Sequence, residues 1–157
     1  MAGVPGRPRR GYPAEKLRAA INRALGWDSA TDAVLVGAGS LGSALLSYAG
    51  FKELNLAIVA AFDANARLGG STIHGVKVRP LPEMARLVRR LKIHLAILTV
   101  PAAAAQACAE TLVEAGVRGI LNFSSAQLAV PEGVIVQNVD LAQPLAVLSH
   151  AIARQGC

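Results

Sequence analysis

The 157-residue chain has two cysteines, Cys108 and Cys157, and three scattered histidines, His74, His94 and His150. Thiols in no metal-ligand spacing exclude a zinc site and a disulfide framework, and read as the free thiols of a cytoplasmic protein. Charge is scarce too: 17% of residues are charged against 53% apolar, which excludes a disordered chain. Long apolar runs are missing. The longest strand-like one, LAIVAAF at 56–62, falls well short of the ~18 residues of a membrane span. The opening MAGVPGRPRRG carries Arg7, Arg9 and Arg10 with no acid, but no apolar stretch follows as in a secretory signal. Residues 1–12 read as a solvated basic leader, the source of part of the +6 net charge.

What is present is alternation. PAEKLRAAINRAL, 13–25, patterns as a helix with Leu17, Ala20, Ile21, Ala24 and Leu25 on one face. Apolar strands are expected at 33–36, 56–63, 95–100, 118–123 and 133–139, with a shorter one at 73–79. Helices are expected at 41–49, ending near Gly50, then at 81–92, 102–116 and 140–154. In the second of these, Leu81, Met84, Leu87, Val88 and Leu91 form the apolar stripe, and Arg86, Arg89, Arg90 and Lys92 form a solvated face. Strands alternating with helices predict an α/β fold, a doubly wound parallel sheet covered on both faces with right-handed crossovers.

The motif with chemistry is AVLVGAGSLGSAL, 33–45. A strand runs into Gly37-Ala38-Gly39-Ser40-Leu41-Gly42 and a helix opens at the last glycine. Gly37 permits the tight turn, Gly39 leaves room for a pyrophosphate, and Gly42 lets helix and strand pack closely. Asp63 follows Gly42 by 21 residues, at the end of the second strand. A carboxylate there accepts hydrogen bonds from ribose hydroxyls and repels a 2′-phosphate, favouring NAD(H) over NADP(H). Arg67, four residues on, is the residue type that accepts such a phosphate. A Rossmann-type NAD(H)-binding domain over 13–139 is the expectation. No histidine or cysteine sits in a pattern for acid–base or nucleophilic work, so no catalytic residue and no metal ligand are assigned. Cys108 reads as a small buried apolar residue.

Further segments carry a resemblance. YAGF (48–51), TVP (99–101), NF (122–123) and VDL (139–141) follow the glycine turn in order. Together they resemble the NADH/NAD⁺-sensing domain of the Rex redox-responsive transcriptional repressors, from about Arg10 to the end. The resemblance implies that the glycine turn and Asp63 hold the ADP half of NAD(H). Thr99, Val100 and Pro101 would line the nicotinamide side, with Asn122, Phe123 and Ser124 beyond. It implies that Tyr48 and Asp140 couple the nicotinamide state to DNA binding. It also implies that 140–157 is a helix exchanged between the protomers of a homodimer, burying Leu141, Leu145, Leu148 and Ile152.

Two departures accompany it. Only 15 residues precede Lys16, too few for the family's winged-helix domain, so direct DNA binding is not expected and the output would go to a protein partner. Ser125 stands where the family often has proline, in the loop bordering the nicotinamide site. The expected role is a non-enzymatic redox sensor. A neutral reduced ring should suit an apolar crevice better than a cationic oxidised one. The alternative is a CoA- or nucleotide-binding subunit of an acyl-CoA synthetase-like or oxidoreductase complex, since the CoA-binding domains of acyl-CoA synthetases share the fold. Asp63 speaks against it, because CoA carries a 3′-phosphate that a carboxylate repels.

Overall fold

The computed structural model describes residues 14–17, 20 and 31–156. Residues 14–17 and Ala20 are helical; the rest of the helix expected at 13–25, the basic leader and Cys157 lie outside the described residues.

Strand β1 (Thr31–Val36) enters the core at once: Ala33 to Val36 are each 0% exposed. Helix α1 (Ser40–Leu46) follows the glycine turn, and a four-residue helix, α2 (Gly50–Glu53), leads into β2 (Leu56–Asp63). The helix expected at 41–49 therefore ends earlier, at Leu46, and a separate short helix starts at Gly50. Ser47 bends its hydroxyl back to the Ala44 carbonyl at 2.8 Å, ending α1. Gly50 then starts α2 rather than stopping α1, and the Tyr48 ring leaves little room for a side chain there, since an ideal Cβ would lie 2.5 Å from it.

The short strand expected at 73–79 is a hairpin, β3 (Thr72–Ile73) and β4 (Val76–Pro80). Its two-residue loop, His74–Gly75, has φ of 48° and 80°, the left-handed pair that matches strand twist. A 3₁₀ turn (Leu81–Glu83) precedes α3 (Met84–Leu91). β5 (Leu95–Leu98), α4 (Ala102–Glu114), β6 (Gly119–Asn122), β7 (Ile135–Asn138) and α5 (Ala142–Gln155) complete the order.

One expected core residue of α3 is not in the core: Leu91 is 44% exposed. Its angular position is right, but α3 ends there. Lys92 turns left-handed at φ 53°, Ile93 N–H reaches the Val88 carbonyl at 3.1 Å, and Ile93 takes the buried place beside Val88.

The sheet order is β3-β4-β2-β1-β5-β6-β7, parallel except for the β3–β4 pair. Numbered by themselves, the parallel strands run 3-2-1-4-5-6, the doubly wound order whose direction of growth reverses between β1 and β5. Residues of α3 and α4 pack with Val34, Val36, Phe62, Ala96 and Leu98 on one face. Leu45, Leu46 and Phe51 pack with Leu35, Ala61 and Ile97 on the other. The expected α/β class and its two covered faces are observed.

Candidate nucleotide site

The reversal point puts the carboxyl ends of β1 and β5 side by side, and the glycine turn fills the gap. Gly37 has φ 98°, and an ideal Cβ on it would lie 2.6 Å from the Thr99 carbonyl oxygen. A Cβ on Gly42 would lie 1.9 Å from the Gly37 carbonyl oxygen, so only glycine lets α1 begin this close to β1. Gly39 has nothing within 4 Å of its Cβ position. It is the open side of the turn, where a diphosphate can reach the backbone. Gly39 is also the N-cap of α1, with no side-chain cap, so no side chain competes for the N–H groups of the first turn, at Ser40 and Leu41. Ser43 Oγ donates to the Ala38 carbonyl at 3.1 Å and steadies the turn from inside.

Asp63 closes the turn from β2. Its carboxylate accepts the Ala38 N–H at 2.7 Å and the Asn65 N–H at 2.7 Å. Both oxygens are thereby fixed, and each retains lone pairs for ribose hydroxyls. Thr99 closes it from β5: its N–H donates to the Val36 carbonyl at 2.8 Å, and its hydroxyl donates to the carbonyls of Val36 and Gly37. Arg67 is exposed; its backbone N–H is held by Asn65 Oδ1 at 3.0 Å.

These groups surround a cavity of about 390 Å³ that includes Gly37, Gly39, Asp63, Thr99, Val100 and Pro101. Its floor holds residues that sequence reasoning missed: Leu81, Ala104 and Cys108. The signal was there, since Ala104 and Cys108 are four apart on α4 and share a face. Cys108 is 4% exposed, and burial pushes its thiol above the usual range. It thus stays a neutral, apolar part of the wall.

The other expected site residues lie elsewhere. Phe123 and Ser124 line a separate hollow of about 480 Å³, shared with Asn138, Asp140 and Leu141 at the root of α5. Asn122 is fully buried, and its amide is engaged by Ser124 and Ala126 of the loop that follows it and by Asn138 on β7. Asp140 accepts the N–H groups of Ala142 and Gln143 at 2.9 and 3.3 Å, at the start of α5. Tyr48 is 59% exposed and packs edge-on against Phe51, ring centroids 5.0 Å apart. It borders a third hollow, beneath α2, lined also by Ile58, His74 and Val76.

A parallel sheet in this order, with a glycine turn and a strand-end carboxylate at its reversal point, defines a nucleotide-binding domain of the Rossmann class. The family model of the CoA binding domain matches residues 28–126. The Redox-sensing transcriptional repressor Rex of Treponema denticola is 44% identical over 148 residues, 94% of this chain and 70% of the relative. The crystal structure of RSP, a Rex-family repressor, in complex with beta-NAD⁺ and operator DNA superposes with TM-score 0.87 at 34% identity. That match covers 98% of this chain and 70% of RSP. RSP in complex with beta-NADH gives TM-score 0.84 at 34% identity, over 92% of this chain and 70% of RSP. The chain belongs to the Rex family of redox-sensing transcriptional repressors. These relatives are repressors rather than enzymes, in keeping with a sequence to which no catalytic residue was assigned.

Proposed function

We propose that this chain is the NAD(H)-binding, redox-sensing part of a Rex-type repressor, with residues 13–139 as the binding domain and 140–157 as the dimerisation helix. The observation that carries this reading is the convergence on one cavity of the open glycine turn, Asp63 and Thr99–Pro101. Ala38, Gly39, Ser40 and Leu41 meet the diphosphate. Asp63 takes the adenosine ribose, and Leu81, Ala104 and Cys108 form an apolar floor for the base. Thr99, Val100 and Pro101 lead toward the nicotinamide, with Phe123 and Ser124 beyond. Among the described residues, no positively charged side chain lines the cavity to receive a 3′- or 2′-phosphate, which favours NAD(H) over CoA and NADP(H).

The dimer rests on α5. None of its residues is buried, although Leu145, Leu148 and Ile152 are 67%, 56% and 60% exposed, and Leu141 just before it 64%. Exchange of this helix between two copies buries that stripe in a symmetric contact. Each leucine side chain so covered contributes about 1.5–3 kcal/mol. Tyr48 and Asp140 relay the nicotinamide state. The domain acts on operator DNA through a DNA-reading part, carried on the same polypeptide or on a partner protein. No helix among the described residues is long and apolar enough to cross a membrane, and the sensor works in the cytoplasm.

Titration calorimetry with NADH, NAD⁺ and CoA tests the reading. NADH binding much tighter than NAD⁺, with CoA weakest, is the expected order. CoA binding tighter than either dinucleotide overturns it.

A further inference from the structure

The loop between β6 and β7 is held by one buried side chain. Asn122 ends β6 and is 0% exposed. Its Oδ1 accepts the Ser124 N–H at 3.0 Å and the Ser124 hydroxyl at 2.7 Å. Its Nδ2 donates to the Ala126 carbonyl at 2.9 Å and to Asn138 Oδ1 at 2.9 Å. The backbone partners fix which way the amide points, because an N–H can only donate and a carbonyl can only accept. The Asn138 amide must then turn its oxygen inward. Asn122 and Asn138 are register neighbours on adjacent parallel strands, and the Val139 N–H also donates to the Asn122 carbonyl at 2.9 Å.

The far end of the loop is pinned from another element. Gln106 on α4 exchanges two hydrogen bonds with the backbone of Ala129, each 2.9 Å. Between these anchors, residues 123–127 wall the hollow of about 480 Å³ whose opposite side is Asn138 to Ala142, the root of α5. A buried amide with every donor and acceptor engaged is a rigid joint, since breaking one bond leaves a desolvated polar group.

We propose that Asn122, locked by Asn138, is a positioning residue: it sets the shape of loop 123–127 beside the nicotinamide end and makes that loop move as one with the start of α5. The inference rests on the NAD(H) reading above and adds the route from the ring to the dimer helix. The nicotinamide side meets Phe123 and Ser124. Ser124 is bonded to Asn122, Asn122 to Asn138, and two residues after Asn138 stands Asp140, whose carboxylate accepts the N–H groups of Ala142 and Gln143 at the start of α5.

The test uses Asn138, which is exposed and removable without opening the core. Amide hydrogen exchange and titrations with NADH and ADP-ribose are compared for the wild type, Asn138→Ala and Asn138→Asp. ADP-ribose lacks the nicotinamide and reports the glycine turn alone. In Asn138→Ala the amides of Ser124 and Ala126 exchange faster, and NADH binds about fivefold more weakly while ADP-ribose binding is unchanged. NADH slows exchange at Ala142 in the wild type but not in that variant. Asn138→Asp keeps the acceptor for Asn122 Nδ2 and restores wild-type behaviour in all three readouts. Unchanged loop exchange in Asn138→Ala overturns the proposal, as does an equal loss of NADH and ADP-ribose or a failure of Asn138→Asp to rescue. A wild type that binds neither ligand refutes the NAD(H) reading instead, and the exchange at Ser124 and Ala126 still decides whether the joint exists.

Discussion

β1 and β7 are strands of the same parallel sheet, and their surroundings could hardly differ more. Val34, Leu35 and Val36 are each 0% exposed, packed from both faces by helices of the same chain. In β7, Ile135 is 73% exposed, and the α5 helix that follows it buries nothing. Both regions carry large apolar side chains, Ile135 and Val136 in β7 and the stripe of α5 among them, although β7 is half polar, IVQN against the AVLV of β1. What separates them is who supplies the cover. The β1 half, with its glycine turn, is complete within one chain, so its geometry is settled before any ligand arrives. The β7–α5 part leaves its apolar stripe uncovered, and the exchange of α5 proposed above would bury it. On that proposal, recognition sits in the part that one chain completes and response in the part that depends on association.

The largest effect should come from breaking the rigid half at its tightest point. Gly42→Ala puts a methyl carbon on top of the Gly37 carbonyl, which is backbone and cannot swing away. A loss of about 3 kcal/mol or more of stability and of measurable NADH binding is expected, read by thermal unfolding and calorimetry. Leu145→Asp with Leu148→Asp strikes the other half. Light scattering should show a monomer, with self-association weakened about 100-fold or more. The isolated domain should keep its ADP-ribose affinity, which is what separates the two regions.

Asp63→Ala removes the carboxylate that accepts the Ala38 N–H and, on the proposed reading, takes the ribose, and should weaken NADH and ADP-ribose alike by about tenfold or more. Cys108 sharpens the comparison without altering the fold. In a Cys157→Ser background, alkylation of Cys108 should be slow near neutral pH and accelerate only as pH climbs through its raised pKa, because burial disfavours the thiolate. Saturating NADH should slow it further, as mass spectrometry of the labelled protein would show. Smallest of all, Arg90→Ala on the exposed face of α3 should move stability by less than about 0.5 kcal/mol and leave NADH binding alone.

The nucleotide turn was legible in the sequence because its parts are local: a buried strand, three glycines at fixed spacing, and an acid at the end of the next strand. The sheet class followed from alternation of elements for the same reason. Details that depend on contacts across the fold were not legible. The break at Ser47–Ala49 needs the Tyr48 ring lying against Gly50, and Leu91 loses its place to Ile93 only because Lys92 turns left-handed. Leu81, Ala104 and Cys108 meet Asp63 through folding alone, with no motif linking them. Asn122 could be picked out by type and position, but its partners Asn138 and Ala126 are visible only once β6 and β7 lie side by side.

The histidines of this chain all stand away from the cavity at the glycine turn: His74 in the β3–β4 hairpin, His94 before β5, His150 on α5. Among the described residues, that cavity is walled by backbone, apolar side chains, the Thr99 hydroxyl, one strand-end carboxylate and a thiol kept neutral by burial. Histidine is the side chain that ordinarily changes charge between pH 5 and 8. On the proposed reading, then, no imidazole among the described lining residues couples nucleotide binding to acidity in that range.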